Sequence, residues 1–365
     1  MRGLAAIGVL SFHVVVDTYY DQLDSLYLLV DFFFVLSGFV LWPSMPANAV
    51  KLGRQSWVFV LKRIFRFWPL TIAALVVSLV GINLHRQLNL MHGSYDLPYG
   101  SFVGMKPADI NVTLVGAFLL LQIIISSAIS LNAPLWSLSA EWLTNLLYAP
   151  LTAIKWGLGI IVLVAAGYIM LAYGLSTDKA WIKDMGPIRG WEAMGRAVLG
   201  FGIGLMLRRY LPVLSRFRNI WLLLLSIGLL VWLNRLPHDI GYETCYVAAP
   251  FFALFILQLT KYTVKPATWL GKFLAFLGAY SFGIYVFHFP LTQLYPAIFG
   301  PLDAFALKDV VTARFLTESA LVTFFSILLT FITHFALEKP LQKLGSKLVK
   351  RAAAPLAVNA GVAAK

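Results

Sequence analysis

The sequence predicts an all-α fold: a polytopic membrane bundle of about ten transmembrane helices with both termini in the cytoplasm. Three observations carry this expectation. Of the 365 residues, 60% are hydrophobic and only 12% are charged, against roughly a quarter charged in a soluble domain, so a water-soluble globule lacks its polar skin. Apolar runs recur at lengths near the roughly 20 residues that cross a hydrocarbon core. The excess of bases, a net charge of +13, concentrates in connections on one side of such a bundle. That is the mark of loops facing anionic lipid rather than nucleic acid. The single Cys245 allows no internal disulfide and no cysteine metal cage.

The apolar runs fall at about 4–16, 26–42, 67–84, 112–131, 136–154, 157–173, 192–207, 219–233, 245–260, 273–295 and 314–337. The first follows Arg2 like a signal peptide, but His13, Asp17, Tyr19 and Asp21 come next with no small-residue cleavage site, so it reads as a span. The connection 43–66 carries Lys51, Arg54, Lys62, Arg63 and Arg66, whereas 17–25 carries three Asp and no base. This places the former inside, the latter outside and the N-terminus in the cytoplasm. Alternation through eleven spans would put Arg208, Arg209, Arg216 and Arg218, then Lys261, Lys265 and Lys272, then the basic tail, on the wrong side. Demoting one run between 85 and 173 repairs all three violations. The run 112–131 is the candidate, as a re-entrant or partly buried helix leading into Asn132-Ala133-Pro134, since broken backbone at membrane depth survives only against protein or a wet cavity. Residues 1–340 then form the membrane domain and 341–365 a cytoplasmic tail, read as disordered because of its Ala-rich end.

Ionisable groups inside spans are costly and point to function or to pairing. The sequence reading names His13, Asp31, Glu141, His288, Glu318 and His334. In the ten-span topology His13, Asp31, Glu141 and His288 fall toward the outer half at similar depth. Arg2 and His13 are eleven residues apart, so they share one helix face about 16 Å apart, a geometry that suits either an elongated anionic ligand or an arginine anchoring the inner interface with a histidine bonded to neighbouring backbone. Ser281, Tyr285 and His288 form an i, i+4, i+7 stripe, either a cavity lining or a hydrogen-bonded seam between helices. In WSLSAEWLTN, Glu141 has no basic residue within ten positions. Arg63 and Arg66 stand at i, i+3, where two guanidinium groups either grip phosphate or anchor the inner rim. Glu338, with Lys339 and Pro340, closes the last span. His85, His92 and His238 are read as solvated loop residues, and no metal site is implied.

These segments resemble the acyltransferase-3 family of membrane O-acyltransferases. Arg2 and His13 match its arginine, ten residues, histidine signature, and VDFFFVLSGFVL at 30–41 matches its second-helix block. Arg63, Arg66 and Pro69 match R-x-x-R-x-x-P, and Trp136-Ser137-Leu138 with Glu141 matches W-S-L-x-x-E. Ser281, Tyr285 and His288 match S-x-x-x-Y-x-x-H. The blocks occur in the family's order from residue 2 to 340. The family's Asp-Gly pair upstream of the first arginine has no counterpart here, which predicts a late start or a shortened first helix. An appended esterase-like domain is also lacking, so the likeness is to the stand-alone form.

The resemblance implies an enzyme of the bacterial cytoplasmic membrane that moves an acyl group, acetyl first, from cytoplasmic acyl-CoA to a hydroxyl. The acceptor would be a saccharide, a glycolipid or another hydroxylated molecule. Arg63, Arg66 and Arg2 would hold the donor phosphates, and His13 would be the general base. Glu141 or Asp31 would hold its tautomer, and Tyr285 or His288 would donate to the oxyanion. The rival expectation is a proton-coupled transporter or flippase, although the internal repeat usual for that class is not visible. A non-catalytic scaffold is a third class.

Overall fold

In the computed structural model the described residues are 1–16, 26–41, 52–91, 106–125, 131–151, 156–177, 190–233, 235, 243–262, 265, 267–299 and 311–362, and they hold helices and no strand. The helices are α1 (Arg2–Val16), α2 (Leu29–Leu41), α3 (Leu52–Met91), α4 (Pro107–Leu119), α5 (Gln122–Ile125), α6 (Leu135–Leu151) and α7 (Trp156–Thr177). They continue with α8 (Gly190–Leu214), α9 (Ile220–Leu233), α10 (Thr244–Leu259), α11 (Trp269–Phe299), α12 (Val311–Thr333) and α13 (Lys339–Val362). Five stretches are long and apolar enough to cross a membrane: Ser56–Leu88, Gly157–Thr177, Gly190–Phe217, Trp269–Tyr295 and Phe315–Ala352. Shorter apolar helices, among them α9 and α10, complete the bundle. Large apolar side chains cover its outside, with Trp221 76%, Ile169 69% and Phe324 60% exposed, the inverse of a water-facing surface.

The run 112–131 does not form a continuous span. α4 stops after 13 residues, about 20 Å of helix, at Leu120, whose φ of 55° turns the backbone left-handed. The freed carbonyls are satisfied by protein: Trp68 Nε1 donates to Phe118 O at 3.0 Å and Ser139 Oγ to Leu120 O at 2.7 Å. Irregular backbone buried in this way is what hydrocarbon depth tolerates. Setting aside α4, α5 and α13, ten helices remain among the described residues.

α8 is the central post, packed by α2 on one side and α7 on another. Glycines permit the approach. A Cβ on Gly204 would collide with Val35 O of α2, and one on Gly38 with Phe201 O of α8. Close backbone contact of this kind replaces the hydrophobic drive that lipid removes. α1 and α3 both pack on α11, which brings the first, third and eleventh helices around one interior space. At the C-terminal end the five residues His334–Glu338 widen into a π-turn, and α13 follows along α3. Where the sequence reading expects a disordered tail from residue 341, the backbone is helical through Val362. His85 likewise lies within α3 rather than a loop, 2.9 Å from Gln293 O. His92 and His238 lie outside the described residues.

Candidate active site

α1, α2, α3, α6 and α11 enclose a cavity of about 130 Å³. Arg2, Arg63 and Arg66 all line it, together with Ser37, Glu141, Ser281 and Tyr285. The three arginines singled out in sequence therefore do meet. Aromatic faces support two of them: the Arg63 guanidinium stands 5.3 Å from the centre of the Phe59 ring and that of Arg66 5.3 Å from Phe282. Arg66 Nη1 also donates to Glu338 Oε1 at 3.2 Å. Glu141 belongs to this cavity and accepts from Ser37 Oγ at 2.6 Å. Three guanidinium groups against one lining carboxylate leave the cavity positive, suited to a polyanion.

A second, smaller cavity of about 20 Å³ is lined by His13, Phe12, Tyr27, Pro134, Trp136, Val30 and Tyr285 among others. Val30 and Tyr285 line both spaces and so form the partition between them. His13 Nδ1 lies 2.8 Å from Val9 O and 3.2 Å from Nε2 of His288, and His288 Nδ1 lies 3.2 Å from Ile284 O. A carbonyl only accepts, so both histidines carry hydrogen on Nδ1. His288 Nε2 is then an acceptor toward His13, and His13 Nε2 is left with a bare lone pair. His288 is fully buried, whereas His13 is half-buried.

The expected tautomer holders, Glu141 and Asp31, do not reach His13. That part falls to Val9 O and His288. The Tyr285 hydroxyl donates to Pro134 O at 2.9 Å and is also bonded to Ser137, whose own hydroxyl reaches Pro134 O at 3.0 Å. Neither Tyr285 nor His288 thus has a hydrogen free for an oxyanion in this arrangement.

The sequence profile of an acyltransferase domain, that of the acyltransferase-3 family, matches residues 1–337. The chain belongs to the acyltransferase-3 family. It is also 29% identical over 168 residues, 43% of this chain and 79% of the relative, to "Protein 2 in picA locus" of Rhizobium radiobacter. No solved structure matches it. As an acyltransferase-3 protein the chain is a membrane acyltransferase, a transferase of acyl groups other than aminoacyl, working between an acyl donor and a hydroxylated acceptor. The motif residues of this acyltransferase sort into the two cavities. Arg2, Arg63, Arg66, Glu141 and Ser281 line the first, His13 the second, with His288 behind it, and Tyr285 stands between.

Asp31 has a different partner. Arg196 of α8 reaches it with Nη2 to Oδ2 at 2.6 Å and Nε to Oδ1 at 3.2 Å, both side chains being at most 1% exposed. The same guanidinium lies 4.9 Å from the Trp136 ring and 5.4 Å from Tyr27, two walls of the histidine cavity. Arg196 is a lone arginine inside the apolar run 192–207, as costly there as His13, Asp31, Glu141 or His288 and unrecognised from the sequence. Glu338 is a second buried ionisable group with more partners than its place at a helix junction suggests. Beyond Arg66 it bonds His334 Nδ1 at 2.9 Å and Gln342 Nε2 at 2.9 Å. Pro340, expected to close the last span, instead lies in the first turn of α13, which follows the π-turn without a gap. Among the described residues no three metal-ligating side chains converge.

Proposed function

We propose that this acyltransferase moves an acyl group, acetyl first among donors, from cytoplasmic acyl-CoA to a hydroxyl of a saccharide-type acceptor, with His13 as general base, in a bacterial cytoplasmic membrane. The observation that carries the reading is the pairing of two ends on one helix. Arg2 of α1 lines the arginine cavity, and His13, about 16 Å further along the same helix face, offers a bare Nε2 in the adjoining cavity. Donor phosphates are held by Arg2, Arg63 and Arg66, since guanidinium forks match phosphate oxygens. The arm of the donor then carries its thioester toward the partition at Val30 and Tyr285. At the thioester the acceptor oxygen attacks the acyl carbon, its proton passes to His13 Nε2, and the carbon–sulfur bond breaks to release the thiolate of coenzyme A. Val9 O and His288 Nε2, both acceptors toward Nδ1–H, stabilise the imidazolium that forms. The family match favours acyl transfer over the transporter reading.

The test is His13→Ala in purified protein supplied with labelled acetyl-CoA and a hydroxylated acceptor. Transfer is expected to fall by about 10²–10⁴, the range of general base catalysis, with coenzyme A binding retained. Turnover at the wild-type rate would remove His13 from the mechanism, and unchanged coenzyme A affinity in Arg63→Ala would remove the arginines from donor binding.

A further inference from the structure

The donor path proposed above runs beside α6, and α6 carries more buried polar atoms than the arginine cavity uses. One turn inward from Glu141, Asn145 is 1% exposed, and neither its Oδ1 nor its Nδ2 has a hydrogen-bond partner. Thr144 Oγ1 and Tyr148 OH, on side chains also 1% exposed, are in the same condition. Positions 141, 144, 145 and 148 fall within an arc of about 100° on the helix. They form a polar strip that starts at the cavity wall and runs toward the inner rim. Its far end is fixed by aromatic packing. The Tyr148 ring lies 5.9 Å from Phe59 of α3 and 5.1 Å from Phe201 of α8, and Phe59 is the ring that supports Arg63.

Buried amides and hydroxyls are nearly always paired, and leaving them unpaired is costlier than replacing them with carbon. Several orphan atoms on one face of one helix therefore point to a partner that arrives from outside the chain. A carboxamide needs both an acceptor for its N–H groups and a donor for its oxygen, which is what a secondary amide offers. A pair of secondary amides lies in the pantetheine arm that joins the phosphates of acyl-CoA to its thioester. We infer that the Glu141, Asn145, Tyr148 face of α6 is the track for this arm, with the Asn145 carboxamide pairing to one of its amides. The inference rests on the donor reading above and gives that reading its specificity, because a thioester without the amides would find the strip unpaired.

Coenzyme A binding to the purified full-length protein tests it. Asn145→Leu keeps the volume and removes both orphan atoms, and it is expected to weaken coenzyme A about tenfold, as for one or two lost hydrogen bonds. The Tm of the same variant without coenzyme A is expected to stay level or rise. Tyr148→Phe preserves the ring packing and is expected to weaken binding by roughly twofold to fivefold. Arg63→Ala serves as the reference. If it leaves the affinity unchanged, the donor reading fails. If it weakens binding while Asn145→Leu and Tyr148→Phe bind like wild type, the amide track is overturned. A drop in Tm for Asn145→Leu without coenzyme A overturns it as well, because the carboxamide then serves the fold through bound water.

Discussion

Ser137 and Tyr285 have two hydroxyl hydrogens for three contacts, with each other and each with Pro134 O. Tyr285 is accordingly a fixed wall between the two cavities rather than a ready donor. Tyr285→Phe keeps the ring and loses only the tether, so kcat/KM for acyl transfer is expected to fall tenfold or less. A loss of about 10²–10³, the cost of an oxyanion donor, would return the residue to that role. At this scale the sequence made the residues legible and their partners much less so. Arg63 and Arg66 share a cavity as their i, i+3 spacing suggests, because spacing along a helix fixes which face each residue takes, and Arg2 joins them from α1. Glu141 and Asp31 are bonded instead to Ser37 and Arg196, 104 and 165 positions away, and no one-dimensional pattern ranks such pairings.

Between elements, the Asp31–Arg196 pair ties α2 to α8 where Gly38 and Gly204 already bring the two backbones together. Removing one partner leaves the other charge buried and unpaired, at a cost of about 3–5 kcal/mol, whereas replacing both with apolar residues costs far less. Arg196→Met is expected to lower the Tm in detergent sharply. The double variant Asp31→Leu with Arg196→Met is expected to recover most of that loss, and a double variant no better than the single one would refute the pairing account. Helix positions and the broken 112–131 segment were readable from hydropathy and loop charge. The break at Asn132 to Pro134 is present as a turn leading into α6, but a further one at Leu120 has no sequence signal, because nothing in a leucine signals φ of 55° and the compensation comes from Trp68 and Ser139 on other helices. At the C-terminal end α13 continues through Val362, in keeping with its alanines, since alanine is the strongest helix former.

Taken as a whole molecule, the bundle separates its charges along one axis. Arg2, Arg63 and Arg66 line one cavity, while His13 stands in another about 16 Å along α1. α13, with Lys343, Lys347, Lys350 and Arg351, follows α3, the helix that carries Arg63 and Arg66. The loop-charge rule predicts that this basic end faces the cytoplasm, and the proposed donor, acyl-CoA, is a polyanion that does not cross lipid. On that proposal sidedness follows from the same arrangement as chemistry. In sealed inside-out vesicles, acyl-CoA added to the outside is expected to be consumed, and in right-side-out vesicles it is expected to be inert until detergent is added. Neutral replacement of Arg63 and Arg66 together should abolish consumption in the inside-out preparation without changing the orientation, as read by protease access to the C-terminal segment. Equal consumption by intact vesicles of both orientations would mean that the arginine cavity does not open on one side alone, and the spatial division between donor grip and histidine base would have to be abandoned.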